Sequence, residues 1–513
     1  MLAAWFVLPG CAPVGPDFVK PDANESADWL SQSREEFQFE AQDLVEWWQL
    51  FDDPILNNLV SLAHQHNNNI RVAGLRVLEA RAILGIATGS RYPQSQAMFG
   101  DATALQASES NANTGAGDLQ FTQYNLGIGA SWEIDFWGRF RRGIEAADAG
   151  LLASIASYDD TLVLLAAQVA DTYTVLRTNQ EQLRISHENV VLQQRSYDIV
   201  DVMYRHGASN ELDVQQAEAL LLGTQSSIPG LEIAIAQSRN ALSTLLGLPP
   251  GSVDSLLGGS GAVPSIPDQL KVGIPADMLR QRPDVRRAEL LAMAQSAQVG
   301  IATANLYPSF SISGTLGLAA AGNTDTTRTG DNGFSELFRA ESLTYSIGPS
   351  FVWPFLNYGR IKNNIRVEDA RLQQTLIQYR ETVLQAAREV EDSMVAFNGL
   401  LTQGEILGRG VIASQRSTDL SMLRYKEGFA DYQRVLDSQQ RLFSQQQRHI
   451  SSKGAAVRTL IALYRALGGG WQTHDGSFVD EASRLQMEER VDWDDYLEAD
   501  RTSIRESDAP PDE

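Results

Sequence analysis

Residues 133–140 read EIDFWGRF and residues 354–361 read PFLNYGRI, so that twice, 221 residues apart, a large aromatic is followed by Gly and Arg. What flanks these two words decides the fold. On the N-terminal side, YNLGIGASWEI (124–134) sets Tyr124, Leu126, Ile128, Ala130, Trp132 and Ile134 on one face, and Asn125, Gly127, Gly129, Ser131 and Glu133 on the other. In the second copy Leu343, Tyr345, Ile347, Phe351 and Trp353 alternate with Thr344, Ser346, Gly348 and Ser350. A period of two signals a strand with one apolar face. Phe310, Ile312, Leu316 and Leu318 alternate with Ser311, Ser313 and Thr315 in the segment before, and residues 97–106 are a weaker equivalent in the first copy. Each segment has about 10 residues, the length a tilted strand needs to cross a hydrocarbon layer. A half-buried sheet in a soluble domain shows the same alternation. The small and polar residues opposite the apolar face suit a lumen, and the strand-end aromatics (Trp132, Phe136, Trp137; Trp353, Phe355, Tyr358) suit a membrane interface.

On the C-terminal side of each word a long helix is predicted. No proline occurs from Gly138 to about Arg205, nor from Gly359 to about Glu427. Leu151, Ile155, Tyr158, Leu162, Leu165, Val169, Thr172 and Leu176 follow a four–three spacing, as do Leu376, Tyr379, Val383, Ala386, Val390, Ser393 and Phe397. Such a seam implies nearly parallel helix packing with a left-handed supercoil. About 67 residues at ~1.5 Å each would span roughly 100 Å. The return is expected in two pieces: residues 210–247, with a possible bend at Pro229, and about 275–304. Between them GLPPGSVDSLLGGSGAVPSIPD breaks the helix.

The chain is therefore a tandem repeat. An offset of 215 relates GIAT at 85–88 to 300–303, Ala73 to Ala288, and YP at 92–93 to 307–308. An offset of 221 then pairs Tyr124 with Tyr345, Gly127 with Gly348, Trp132 with Trp353, Tyr158 with Tyr379, Tyr204 with Tyr425, Gly207 with Gly428 and Gly247 with Gly468. A fixed offset over more than a hundred positions is the mark of a duplicated unit. The expected division is 1–10 leader, 11–53 N-terminal arm, 54–247 first repeat, 248–274 linker, 275–468 second repeat and 469–513 side segment plus tail. The strands are expected at about 96–107, 122–136, 309–320 and 342–356. The helices are expected at 138–205, 210–247, 359–427 and 431–468. The arm, the linker and the segment after 470 are expected to form a small side domain.

Composition narrows the function. A net charge of −23 disfavours nucleic acid as partner, since phosphate contacts require a basic surface. Residues 480–513 carry 13 acidic and 4 basic side chains, the pattern of a solvated, disordered tail. Cys11 is the single cysteine, which excludes an intramolecular disulfide and thiolate clusters. It closes LPGC after an apolar stretch, a pattern resembling a bacterial lipobox in which the Cys would carry a covalent lipid. An incidental Cys behind an apolar N-terminus is the plainer reading. No other cofactor is expected. No run of about 18 consecutive apolar residues follows, so any membrane crossing would be by strands. Four strands cannot close a barrel, and an open sheet edge in lipid leaves backbone groups unpaired at several kcal/mol each. Three copies would give 12 strands in a cyclic homo-oligomer.

With these residues in view, the chain resembles the TolC-like outer membrane efflux family, in its lipoprotein (NodT/OprM-like) branch serving resistance–nodulation–division pumps. The motifs that carry the resemblance run in order from CAPVGPDFVKP (11–21) and WWQLFDDPILNNLVSLA (47–63) through YRHGASNELDVQQAE, RPDVRRAELL (282–291) and VGIATANLYPS (299–309) to YKEGFADYQRVLDSQQRLF. The resemblance implies a transmembrane β-barrel plus a long α-helical barrel, an α+β architecture assembled as a homotrimer. It implies a Gram-negative outer-membrane location, contact with outer-membrane lipid, and partners in a periplasmic adaptor and an inner-membrane transporter. It also implies that the turns at 204–213 and 425–437 form the inner mouth. There Asp437, Tyr425, Arg434, Asp213 and Tyr204 would make the aperture, and Gly207, Ala208, Gly428 and Phe429 would make the adaptor-docking tips. Arg434 stands where some relatives have a second Asp, so closure through Asp–Arg contacts is expected. As plain structure, these are hairpin turns ended by glycines. Trp137, Gly138, Arg139, Tyr358, Gly359 and Arg360 are expected to mark the passage from barrel to tube, with the arginines facing water or headgroups.

No nucleophile–base pair or acid pair points to an enzyme, and His64 and His66 point in different directions on a helix. The alternatives that remain are an exit duct for protein secretion (type I) and a soluble coiled-coil scaffold.

Overall fold

A computed structural model describes residues 13–21, 37–38, 45–108, 110, 119–267, 270–271, 281–323, 333–472 and 477–498. Cys11 and the residues after 498 lie outside this set; the tail expected to be disordered from 480 is folded as far as 498, with a helix at Glu481–Glu488, Met487 and Leu497 buried, and Asp480 paired with Arg71 at 2.8 Å. Eight helices of eight residues or more and four long strands carry the described fold: α1 (Pro54–His66), α2 (Asn68–Gly89), β1 (Ser95–Gln106), β2 (Gln120–Ile134), α3 (Arg139–Arg205), α4 (Glu211–Leu245), α5 (Pro283–Ala304), β3 (Ser309–Asn323), β4 (Leu343–Val352), α6 (Arg360–Lys426), α7 (Tyr432–Ala466) and α8 (Glu481–Glu488). The start expected near residue 275 for α5 lies outside the described residues. The described helix opens at Pro283, where a missing N–H costs nothing.

The duplication is exact in the helices. α2 and α5 are displaced by 215 residues at both ends, and α3/α6 and α4/α7 by 221. Small bonds repeat with them. The Trp132 indole Nε1 donates to the Arg91 carbonyl at 3.1 Å, and Trp353 Nε1 donates to the Leu306 carbonyl at 3.0 Å.

The chain divides into two compact units. The first contains Met1–Pro21, Glu79–Ala153 and Glu289–Gln378. Its centre is one antiparallel sheet of order β1-β2-β3-β4, in which β2 of the first repeat pairs with β3 of the second. The register sorts the side chains. Met98, Ile128, Leu316 and Tyr345 stand side by side on one face, next to the row Gly100, Leu126, Leu318 and Leu343. The row Asp101, Asn125 and Ala319 and the row Gly129, Thr315 and Ser346 share the other face. Gly127 and Gly317 lie opposite each other on that second face, so close that a Cβ on Gly317 would sit 2.6 Å from the Leu126 carbonyl oxygen. Residues 13–21 lie along the same unit. Val14 N–H donates to the Trp137 carbonyl at 3.0 Å, and the Arg142 guanidinium bonds Asp17 at 2.6 Å. An added Cβ at Gly15, which has φ +95°, would overlap the backbone of Gly300.

The second unit contains Asp22–Leu78, Ser154–Ala288 and Tyr379–Glu513. Its seam is the one read from heptads: Tyr158, Leu162, Leu165, Val169 and Leu176, with Tyr379, Val383, Ala386, Val390 and Phe397, are all at most 3% exposed. Burial of each Leu, Val or Phe among them contributes roughly 1.5–3 kcal/mol, and of Ala386 less. α3 and α4 also contain windows as apolar as a membrane span, which a count of uninterrupted apolar runs misses; in α3, 56% of that window is buried. α4 runs unbroken through Pro229. The non-helical segments pack here as well. Trp47 stacks on Tyr464 at 5.5 Å, and Phe478 meets Tyr158 edge-on at 5.2 Å. The buried Arg177 donates to the carbonyls of Leu257 (2.9 Å) and Gly259 (2.7 Å). Arg282, also buried, bonds Asp284, Glu389 and the Ala466 carbonyl, tying the start of α5 to α6 and α7.

Candidate functional site

Two places carry residues singled out by sequence: the strand-to-helix junctions and the helix-to-helix turns.

At the first junction Gly138 adopts φ +77° and Arg139 opens α3. Trp137 stacks on Tyr307 at 4.4 Å and its Nε1 donates to the Pro308 carbonyl at 2.8 Å. Arg139 pairs with Glu133 at 2.9 Å, while Asp135 accepts the N–H groups of Phe140 and Arg141 at the helix start. At the second junction two successive residues are left-handed, Tyr358 (φ +49°) and Gly359 (φ +82°), and Arg360 is exposed. The two junctions are thus not equivalent. Pro13 of the arm covers Gly138, whereas Tyr358 is 96% exposed.

The turns follow one design. At the end of α3, Gly207 N–H bonds the Tyr204 carbonyl and Ala208 N–H the Met203 carbonyl; at the end of α6, Gly428 bonds Tyr425 and Phe429 bonds Arg424. Both glycines have φ +77°, the left-handed residue that lets five intervening residues reverse the chain. α4 is capped by Asn210, whose side chain accepts from Asp213 N–H, with Glu211 and Asp213 in the first turn favourable to the helix dipole. The second turn lacks a side-chain cap at Asp431.

The two turns meet in one cluster of Val200, Val214, Ala217, Tyr425, Tyr432 and Val435. Tyr425 and Tyr432 rings lie 5.3 Å apart, and burial pushes both phenols up. The Tyr425 hydroxyl reaches Ser209 Oγ at 3.4 Å, and Ser209 donates to Asp213 at 2.8 Å. A line of hydrogen bonds therefore runs from α6 through the first turn to α4. Tyr204, at the equivalent repeat position to Tyr425, stays exposed. Asp437 accepts from Gln433 at 2.9 Å on its own helix, and Arg434 is exposed. The Gln433 amide takes Asp437 Oδ1, and Asp437 and Arg434 of the same chain are not paired with each other. Phe429 projects 80% exposed at the tip. Ser209 and Tyr432 were missed by sequence reasoning. The available signal was a break in the repeat: at offset 221 they match Ala430 and Glu211, so neither is a repeated residue.

The profile of the family described as outer membrane efflux protein matches residues 59–248 and 274–469. The chain belongs to that family. The cation efflux system protein CusC of Escherichia coli O6:H1 is 30% identical over 467 residues, covering 91% of this chain and 97% of its own length. The pyoverdine export outer membrane protein OpmQ of Pseudomonas putida is 30% identical, covering 87% and 92%. Among solved structures, the outer-membrane channel OprN superposes with a TM-score of 0.83 at 30% identity, covering 90% of this chain and 99% of its own. The fold class of this outer membrane efflux protein is that of the channel family: a sheet that builds a barrel and long helices that build a tube.

Proposed function

We propose that this chain is the outer-membrane exit duct of a tripartite efflux system, passing small molecules delivered by an inner-membrane resistance–nodulation–division pump and a periplasmic adaptor. One observation carries the reading: a four-stranded sheet with one apolar and one polar face, both edges open, whose strands lead into two 67-residue helices. Lipid tolerates the apolar face but not the open edges, so copies must close the sheet, and three give 12 strands. The same three-fold axis would close the helices into a tube.

The turns would form its inner mouth. Tyr425, Ser209, Asp213 and Asp437 would act on the closed state, with Tyr204 and Arg434 free to contact a neighbouring copy. The exposed Phe429, with Ala208, Gly207 and Gly428, would meet the adaptor. A lipid on Cys11 would enter the bilayer near Trp137 and Gly138, because residues 13–17 are fixed there by Val14 and by the Arg142–Asp17 pair.

Deletion and complementation test the function. Loss of the protein should sensitise the host to pump substrates, and the intact gene should restore export. Restoration of secreted protein without restored small-molecule export would instead favour the secretion-duct reading.

A further inference from the structure

The sheet carries an unbalanced charge. Among the described residues, the four strands contain no Lys or Arg and only two acids, Asp101 and Glu133. Register places both on the polar face, since Asp101 pairs with Asn125 and Glu133 with Ser311. Their surroundings differ. Glu133, near the helix end of the sheet, is neutralised by Arg139 at 2.9 Å. Asp101, mid-strand, is held only by neutral donors: Asn125 Nδ2 at 3.2 and 3.1 Å, and Thr103 Oγ1 at 3.2 Å. These bonds fix the carboxylate without cancelling its charge. β1 is an edge strand, so in a closed barrel its second neighbour would be β4 of another copy. That strand presents Thr344, Ser346, Gly348 and Ser350 on the polar face, and no cation.

We infer that Asp101 forms a three-fold ring of fixed negative charge half-way along the barrel lumen. There it acts as a cation-preferring filter separate from the aperture at the helix turns. The inference rests on the duct reading above. Twelve strands about 4.8 Å apart and tilted ~40° give a barrel radius of about 12 Å to the backbone. The screening length is about 10 Å at 0.1 M salt and about 30 Å at 0.01 M, so three carboxylates influence the whole cross-section only at low ionic strength.

The test is the reversal potential of the full-length protein in planar bilayers under a KCl gradient. At salt near 0.01–0.1 M, Asp101→Asn should lower the cation-over-anion permeability ratio at least about twofold, an effect fading at 1 M as screening takes over. In a second variant, Asp101→Cys, a water-soluble anionic thiol reagent should restore the ratio and a cationic one should lower it further. The same reagents on the parent, whose one cysteine is Cys11, are the control. A conducting parent with an unchanged ratio in D101N, or a D101C channel indifferent to both reagents, overturns the ring and leaves the duct reading intact. A parent that never conducts overturns both.

Discussion

Gly317→Ala tests whether the strands must approach as closely as the sheet requires. The Cβ introduced would lie 2.6 Å from the Leu126 carbonyl oxygen and 2.9 Å from Gly127 Cα. Both are backbone atoms of β2, in the middle of the sheet, with no flexible side chain to move aside. An ordinary contact at this position needs several tenths of an ångström more, so β2 and β3 must part or twist along their paired length. Overpacking of this kind costs about 1–3 kcal/mol per chain. Both neighbours of β3 belong to the same chain, so the cost does not depend on the register between copies. The control is Gly129→Ala, on the same face of β2. Its nearest neighbours would be Thr315 Cγ2 at 3.6 Å and Phe99 Cε1 at 3.7 Å, ordinary contacts. Such a change should stay within about 0.5 kcal/mol. The assay is denaturant and thermal unfolding in detergent micelles, with assembly read by gel mobility before and after heating. G317A should lose stability and assembled fraction while G129A matches the parent. Equal behaviour of the two variants would refute the packing argument.

Two further predictions concern the second unit. Burial, reinforced by Asp284 and Glu389 and opposed by Arg287 and Arg282, raises the Asp160 carboxyl to about 6. A carboxyl with a raised folded-state pKa binds protons more tightly when folded, so stability is greatest below about pH 4 for this group and falls as pH rises toward 6. Asp160→Asn should flatten that fall and add about 1–2 kcal/mol at pH 7, after discounting for its partial exposure; a pH series of unfolding midpoints that stays parallel to the parent would contradict this. Tyr425→Phe keeps the ring in its cluster but removes the 3.4 Å link to Ser209, costing about 0.5–1 kcal/mol. If the turns form the aperture, single-channel recordings should show a larger open fraction, and an unchanged open fraction removes Tyr425 from the closing network.

Much of the fold was legible because its determinants are local and repeated. Period-two alternation in 124–134 and 343–353 assigns faces without knowledge of strand order, and most side chains named by the heptad seams are then buried, with Ile155, Thr172, Leu376 and Ser393 half-buried at the seam edge. What the sequence hid is long-range. The offset pairs Gly127 with Gly348, yet in space Gly127 faces Gly317, because β2 joins β3 across the repeat boundary. The arm at 13–21 reaches Trp137 and Gly300 through contacts that leave no periodic trace. At the turns, the family resemblance pointed to Tyr425 and Asp437, while Ser209 and Tyr432 join only because the two hairpin ends meet.

The central claim is that open edges force copies of this chain to close one barrel. The direct measurement is the protein mass of the full chain extracted from outer membranes, by light scattering or native mass spectrometry with the detergent contribution removed. The account predicts three times the mass of one processed chain, which is close to the 56.3 kDa of the 513 residues, held together until the sheet unfolds. A monomer of one-third that mass, stable in buffer without detergent, would contradict it.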